Sequence, residues 1–439
     1  MERFLGAFEH SFWLYDQVHP VHFALCAKIS GTFTSDQLQR ALSQVQQQHP
    51  LLRVKIQTSP SGHPQFVEQK AEIPLRIVQR TDRLQWQREL ELELSLSFNW
   101  AIAPLVRVVW LHSQGNQDSE LIITLHHSIA DGLSGAYLIR DIVARIATPN
   151  CSATAISREL TTSAPVESII PQSFRFPTES PHQSDHVAAQ EQAAFYADKA
   201  TTRVRPHVRT AILSAQLTKQ LSVLCREEHT TVHGAIGAAF LLALASQGKT
   251  DLSHYKCLSP ISIRSHLPAT VQEDVGLYIT YGLTHHQVTA SSLFWEVARS
   301  LKSQLDDARQ LQQLFGNFAP RQAVMTTCPD AQIVVQGMQQ QYGYDLLVTN
   351  LGKLTFGQQF GGLKVKELYA PAVMAGVENE RVVGVATLGD RLSLTACFDG
   401  ANISAAIATD IVDQALFLLH SIYQRNFLIS QNLQPALAK

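Results

Sequence analysis

Apolar and polar positions along this chain switch between two periods, and the order of the switches predicts its elements. Residues 21–29 (VHFALCAKI) alternate, with Phe23, Leu25, Ala27 and Ile29 on one face, and predict a strand. The period then becomes helical. Leu38, Ala41, Leu42 and Val45 share one face, behind Thr34 and Gln37 at the spacing of a capping box. Pro50 ends that helix, and LLRVKI (51–56) predicts extended chain. LVRVVWLH (105–112) and LIITLHH (121–127) predict neighbouring strands joined by the polar loop SQGNQDSE. Ser134 is the expected cap of a helix to about Ile146, with Leu138, Ile142, Val143 and Ile146 inward.

Residues 148–187 lose both periods. Pro149, Pro165, Pro171, Pro177 and Pro181 stand among Ser and Thr, which marks a linker or crossover. The second half restarts with RVRPHVRTAIL (203–213), extended and basic, and a helix opened by Ser214 with Leu217, Leu221 and Leu224 inward. TTVHGAIGAAFLLALA (230–245) is apolar nearly all round and predicts a buried central helix. HYKCLSPISIR (254–264) predicts a core strand ending in Arg264, and Phe294, Val297, Ala298, Leu301 and Leu305 an amphipathic helix. YDLLVTNLGKL (344–354) predicts a strand entering a turn, RLSLTACFDG (391–400) an alternating strand, and residues 404–427 a last helix. Strand and helix patterns mix in both halves, so the expected class is α/β (α+β) with two lobes, each a mixed sheet with flanking helices. The expected division is 1–165 for the first lobe, 166–200 for the crossover and 201–439 for the second.

Composition narrows the class of partner. Of 439 residues, 45% are hydrophobic and 16% charged, an ordinary globular balance, and the net charge of −2 argues against nucleic acid as a partner. No stretch approaches the roughly 20 apolar residues of a membrane span; the longest run, Ala235–Ala245, is short and holds Gly237. The N-terminal residues MERFLGAFEHSFW lack a signal-peptide pattern. The cysteines (Cys26, Cys151, Cys225, Cys257, Cys328 and Cys397) form no CxxC pair and read as reduced thiols, with no metal site. A cytoplasmic monomer is expected.

The candidate chemistry lies at the end of LIITLHHSIADG (121–132). A strand that stops at two histidines, an aspartate and a glycine has the look of an active-site loop. A neutral imidazole has one acceptor nitrogen and titrates near working pH, which suits His127 to take a proton from an alcohol, amine or thiol. Neighbours on a strand face opposite ways, so His126 is read as supporting rather than as a co-ligand of a metal. Asp131 either orients the imidazole or braces the loop through an arginine, and Gly132 permits a tight turn.

HHSIADG resembles the HHxxxDG signature of the chloramphenicol-acetyltransferase-like superfamily, which holds nonribosomal-peptide condensation domains, plant acyl-CoA acyltransferases, wax-ester synthases and polyketide-associated acyltransferases. HPLLR (49–53), the helix at 230–245, SPISIR (259–264) and TNLG (349–352) resemble further family stretches in the same order. The opening FLGAFEHSF, with Glu9, looks most like the polyketide-associated, phthiocerol-esterifying branch, while the plant branch's DFGWG is absent.

The resemblance implies two lobes with an active-site tunnel between them and no permanently bound cofactor. The co-substrate would be a thioester on coenzyme A or on a carrier protein's phosphopantetheine. A hydroxyl acceptor, such as a lipid or polyketide alcohol, would be deprotonated by His127 and attack without an acyl-enzyme. Arg264 would pair with Asp131, and Asn350 and Gly352 would sit at the substrate, with Asn350 or backbone N–H groups near Gly132 as candidate oxyanion donors. Two alternatives stay open: a free-standing condensation enzyme forming an amide between carrier-bound substrates, and a non-catalytic carrier-binding scaffold. The H-x-S-x-x-D pattern of membrane glycerolipid acyltransferases also fits His126 to Asp131, but FPTES (176–180) lacks the glycine of that family's phosphate loop. Arg203, Arg205 and Arg209 form a candidate docking stretch for an acidic carrier, or a charged strand edge that discourages aggregation.

Overall fold

The computed structural model describes residues 2–113, 115, 117–148, 164–175, 205–248, 253–271, 273–377 and 379–433. Cys151, Arg203 and the FPTES stretch lie outside them.

The strands are β1 (Glu2–Phe4), β2 (Val21–Ser30), β3 (Val54–Thr58), β4 (Pro64–Glu68), β5 (Leu75–Gln79), β6 (Val106–His112), β7 (Asp118–His126), β8 (His207–Ile212), β9 (Ser253–Ser262), β10 (Ile279–Val288), β11 (Leu346–Leu354), β12 (Gln359–Phe360), β13 (Leu363–Ala375), β14 (Arg381–Leu388) and β15 (Arg391–Phe398). The helices described are α1 (Ala7–Asp16), α2 (Ser35–Gln48), α3 (Gln85–Ser95), α4 (Gly132–Ala147), α5 (Val166–Ile169), α6 (Ala215–Glu227), α7 (Val232–Gln247), α8 (Phe294–Ala308), α9 (Leu311–Gly316), α10 (Phe318–Met325), α11 (Ala331–Tyr342) and α12 (Ala405–Leu433).

Two six-stranded sheets carry the molecule, in the orders β12-β13-β2-β7-β6-β5 and β10-β9-β11-β14-β15-β8. Both are mixed. In the first, β5 runs parallel to β6 while the other neighbours are antiparallel; in the second, β11 is parallel to both β9 and β14. A small third sheet, β1-β4-β3, lies beside them. The α/β class with two mixed-sheet lobes therefore stands.

Local chemistry explains most elements. Thr34 caps α2 reciprocally with Gln37, at 3.2 and 2.8 Å, and Leu38, Ala41, Leu42 and Val45 are buried. Ser214 caps α6, and α7 is buried from His233 to Ala245, the central helix its composition predicts. Glu9 accepts from Gly6 N at 2.7 Å and receives two bonds from Arg3, which anchors the start of α1.

Several expectations need correction. Pro50–Arg53 forms a 3₁₀ turn, so extended chain resumes only at Val54. The cap of α4 is Asp131, whose carboxylate accepts from Ser134 N at 2.8 Å, and Ser134 lies inside the first turn. TNLG does not follow its strand but lies within β11, as a bulge between Asn350 and Lys353. The window Ala405–Ile422 of α12, with mean hydropathy 1.3, is long and apolar enough by composition to cross a membrane. In this fold Ala408, Ile411, Val412, Ala415 and Leu419 are buried in the core around α7.

The largest correction concerns the halves. Residues 359–375, inside the stretch expected to form the second lobe, belong to the first sheet: β13 pairs antiparallel with β2 from Lys364–Ser30 to Ala375–Val21. Pro371 sits where that register slips, between Tyr369 and Ala372. Gly384 of β14 lies directly against it, and a Cβ there would sit 2.0 Å from the Pro371 carbonyl oxygen. The two sheets thus touch backbone to backbone at this point.

Candidate active site

The site begins where β7 ends. His126 pairs with His22 across the ladder, fully buried, and turns its Nδ1 to accept from Ser128 N at 3.1 Å. Its Nε2 lies 3.4 Å from Asp16 Oδ2, a charge approach rather than an aligned hydrogen bond. His127 faces the other way, as strand alternation requires. Its ring lies between Phe12 (centroids 4.6 Å apart, 22° between planes) and Phe23 (4.9 Å).

His127 Nδ1 lies 3.0 Å from the Ala130 carbonyl oxygen. A carbonyl only accepts, so Nδ1 carries the proton and Nε2 is left with the lone pair. Burial pushes the conjugate acid of His127 down to about 4, against a smaller opposing pull from Asp131. The ring is therefore neutral at pH 7, a base that needs no deprotonation before use.

Asp131 does not bond to that ring. Its carboxylate accepts from Arg264 Nη2 at 2.8 and 3.0 Å, from Ser134 N at 2.8 Å and from Tyr278 N at 3.1 Å. Its own N–H donates to the Gly276 carbonyl at 3.0 Å. Ser134 Oγ accepts from Arg264 Nη2 at 2.7 Å and from Gly276 N at 3.1 Å. Arg264, 5% exposed, also donates to the carbonyls of Asp274 and Val271 and stacks over Tyr278. Of the two roles open to Asp131, this geometry matches the brace.

His127, Asp131 and Gly132 line a cavity between the sheets. Phe12 and Phe23 flank the histidine, Leu258 and Pro260 come from β9, and Pro371 and Val373 from β13. Asn350 lines it as well, its Oδ1 accepting from Gly352 N at 2.8 Å, which leaves the amide nitrogen as a donor. Gly352 does not reach the cavity. It is exposed, at φ +71°, and serves the bulge that presents Asn350. Leu351 closes over Gly132, where a Cβ would sit 2.8 Å from its Cδ2, so the bulge abuts the N-terminus of α4. The basic stretch lies elsewhere, with Arg209 on β8 approaching Asp413 at 3.7 Å.

Two elements of the site carry little signal in the sequence. Helix α1 brings Phe12, Tyr15 and Asp16, and its only signal was the likeness of FLGAFEHSF to one family branch. Helix α11 closes the cavity with Val335, Met338, Gln339 and Tyr342, from a Gln-rich stretch with little periodicity.

Comparison with known proteins places this geometry. Residues 13–149 match the Condensation domain family, and residues 202–396 match the Phthiocerol/phthiodiolone dimycocerosyl transferase C-terminus family. Chondramide synthase of Chondromyces crocatus is 28% identical over 134 residues, which is 27% of this chain but only 3% of that protein. Among solved structures, trichothecene 15-O-acetyltransferase from Fusarium sporotrichioides superposes with a TM-score of 0.70 at 11% identity, over 95% of this chain and 94% of that one. Polyketide synthase associated protein 5 from Mycobacterium tuberculosis gives 0.59 at 16%, over 95% and 97%. The starter condensation domain of rhizomide synthetase, in complex with C8-CoA, gives 0.60 at 13%, over 95% and 94%. The chain thus has the two-lobed fold of these condensation-domain and acyltransferase structures, and it matches the Condensation domain family in its first third and the Phthiocerol/phthiodiolone dimycocerosyl transferase C-terminus family across much of the rest.

Proposed function

We propose that this chain is a cytoplasmic acyltransferase that moves an acyl group from a thioester, on coenzyme A or a carrier protein, to a hydroxyl acceptor. The observation that carries the reading is the bond between His127 Nδ1 and the Ala130 carbonyl, which leaves Nε2 as an acceptor at the cavity. In the reaction, Nε2 takes the proton of the acceptor hydroxyl as its oxygen attacks the thioester carbonyl carbon. The tetrahedral oxyanion collapses, the C–S bond breaks, and the leaving thiolate recovers the proton from the imidazolium. The amide of Asn350 and the free N–H groups at the start of α4 are the donors available to the oxyanion. Asp131 holds the loop through Arg264 and stays out of the proton's path. The C8-CoA bound by the rhizomide synthetase neighbour supports a thioester donor.

Purified protein given acyl-CoA or acyl-carrier donors with a panel of alcohols should form ester, and His127→Ala should lose about 10²–10⁴-fold in turnover. Equal activity of that variant would remove His127 as the base. The match of residues 13–149 to the Condensation domain favours one second reading, amide formation with an amine acceptor. Mass spectrometry of products from paired amine and alcohol acceptors separates the two.

A further inference from the structure

One helical turn beyond Phe12, Tyr15 lines the same cavity as His127. Its side chain is 6% exposed, and its hydroxyl is buried with no aligned hydrogen-bond partner. Burial holds that phenol up at about 12, so it keeps its proton. Tyr281 and Tyr342, with ring centroids 5.9 Å apart, line the cavity beside it.

Behind these rings stands Arg321 of α10. Its Nη1 donates to Ser11 Oγ at 2.9 Å, its Nη2 meets Met338 Sδ at 3.6 Å, and its guanidinium lies 4.2 Å over the Phe8 ring. Its charge acts on the phenols of Tyr15, Tyr281 and Tyr342, against the upward push of burial. Arg264, the other arginine of this region, has Asp131 for its charge. Among the described residues, the contacts of Arg321 are a hydroxyl, a thioether and aromatic rings, and none is a carboxylate.

That arrangement has a chemical direction. A guanidinium has donors only, so a phenol oxygen beside it has its own O–H free for another acceptor, and Tyr15 and Tyr342 both line the cavity. A partly buried cation without a counter-ion is costly, and a ligand anion would offset that cost. A carboxylate meets both needs. It accepts from the two phenols and neutralises the guanidinium behind them, and charge-assisted bonds of this kind are the strong ones.

We propose that Arg321, Tyr15 and Tyr342 form a carboxylate-recognition site in the cavity wall, so that the molecule filling the cavity carries a carboxylate remote from its reacting atom. This rests on the acyl-transfer reading of the same cavity. The carboxylate has two sources, a hydroxy acid as acceptor or the half-thioester of a dicarboxylic acid as donor.

The test is calorimetric binding, which needs no turnover. One arm compares medium-chain ω-hydroxy acids with their methyl esters, and the other compares dicarboxylic half-thioesters of coenzyme A with theirs. In at least one arm the wild-type protein should favour the free acid by about tenfold or more, the scale of a charge-assisted bond. Arg321→Gln should bring the acid-to-ester ratio to near unity, Arg321→Lys should keep part of it, and Tyr15→Phe should reduce it. Thermal unfolding of each variant verifies that it is folded. No acid preference in either wild-type arm, or a preference that survives Arg321→Gln, overturns the proposal. If the acid preference is present but neither ester nor amide ever forms, the recognition site stands and the proposed activity fails.

Discussion

Arg264 reaches Asp131 across the boundary between the two sheets, donating from one nitrogen to both carboxylate oxygens at 2.8 and 3.0 Å. The loop after β7 and the turn after β9 are fixed to each other by this contact, with both side chains almost fully buried. The catalytic histidine proposed above thus keeps its place through a residue of the other sheet.

Breaking that contact from one side leaves a buried charge uncompensated. Asp131→Ala or Arg264→Met should each cost about 3–5 kcal/mol, and the double variant clearly less than the sum. Urea denaturation of the four proteins checks this. Additive losses would mean that the two residues act separately.

The acid limb of kcat/KM should lie near pH 4. Burial lowers the conjugate acid of His127 from 6.5 to about 4, so the base form persists well below neutrality. A rate profile from pH 4 to 8 that instead breaks near 6.5 would point to a solvated base.

Stability should pass through a maximum near pH 6.5. Burial pushes His10 and His22 down to about 3, and His127, His233 and His286 down to about 4. As pH falls from 6.5 toward 4, the unfolded chain binds these protons and the folded one does not, so stability is lost in that window. Glu167 and Glu380 work the other way. Burial raises them to about 7 and about 8, so the folded state holds protons that the unfolded chain releases above 4.5. The histidines outnumber the carboxyls below 6.5, and the carboxyls act alone above it. Melting temperatures across pH 4 to 9 test the shape; a maximum below pH 5 contradicts it.

Gly384→Ala should destabilise by about 1–3 kcal/mol or more, because the added methyl meets the backbone of Pro371 and not a movable side chain. Pro371 lines the cavity, so the change should also raise KM. A melting curve and KM equal to those of the wild type would show that the sheets can part there without cost.

The sequence made His127 and Arg264 legible because each follows a strongly patterned strand, β7 or β9, while the place of Asp131 came from the resemblance of HHSIADG to a known signature. For the cap of α4 the sequence offers Asp131 and Ser134 as equally good cappers, and only the bonds to Arg264 and Tyr278 choose between them. Helix α1 was invisible because Ala7 to Tyr15 are all buried, which removes the polar face that gives a helix its period. Neither Asn350 nor Gly352 announces a bulge, because a lone Asn-x-Gly reads first as a turn. The pairing of β13 with β2 joins distant parts of the chain, and no local pattern encodes it.

That pairing has a consequence for how the molecule can be inherited or recombined. A chain cut between the halves would leave β2 as a bare edge on one fragment, open to association with any free strand, and a 13-residue strand without its template on the other. Neither fragment would be self-sufficient. A chimera made by exchanging halves with a relative would have to carry residues 359–375 with the first half, so the natural module boundaries of this protein are two cuts, not one.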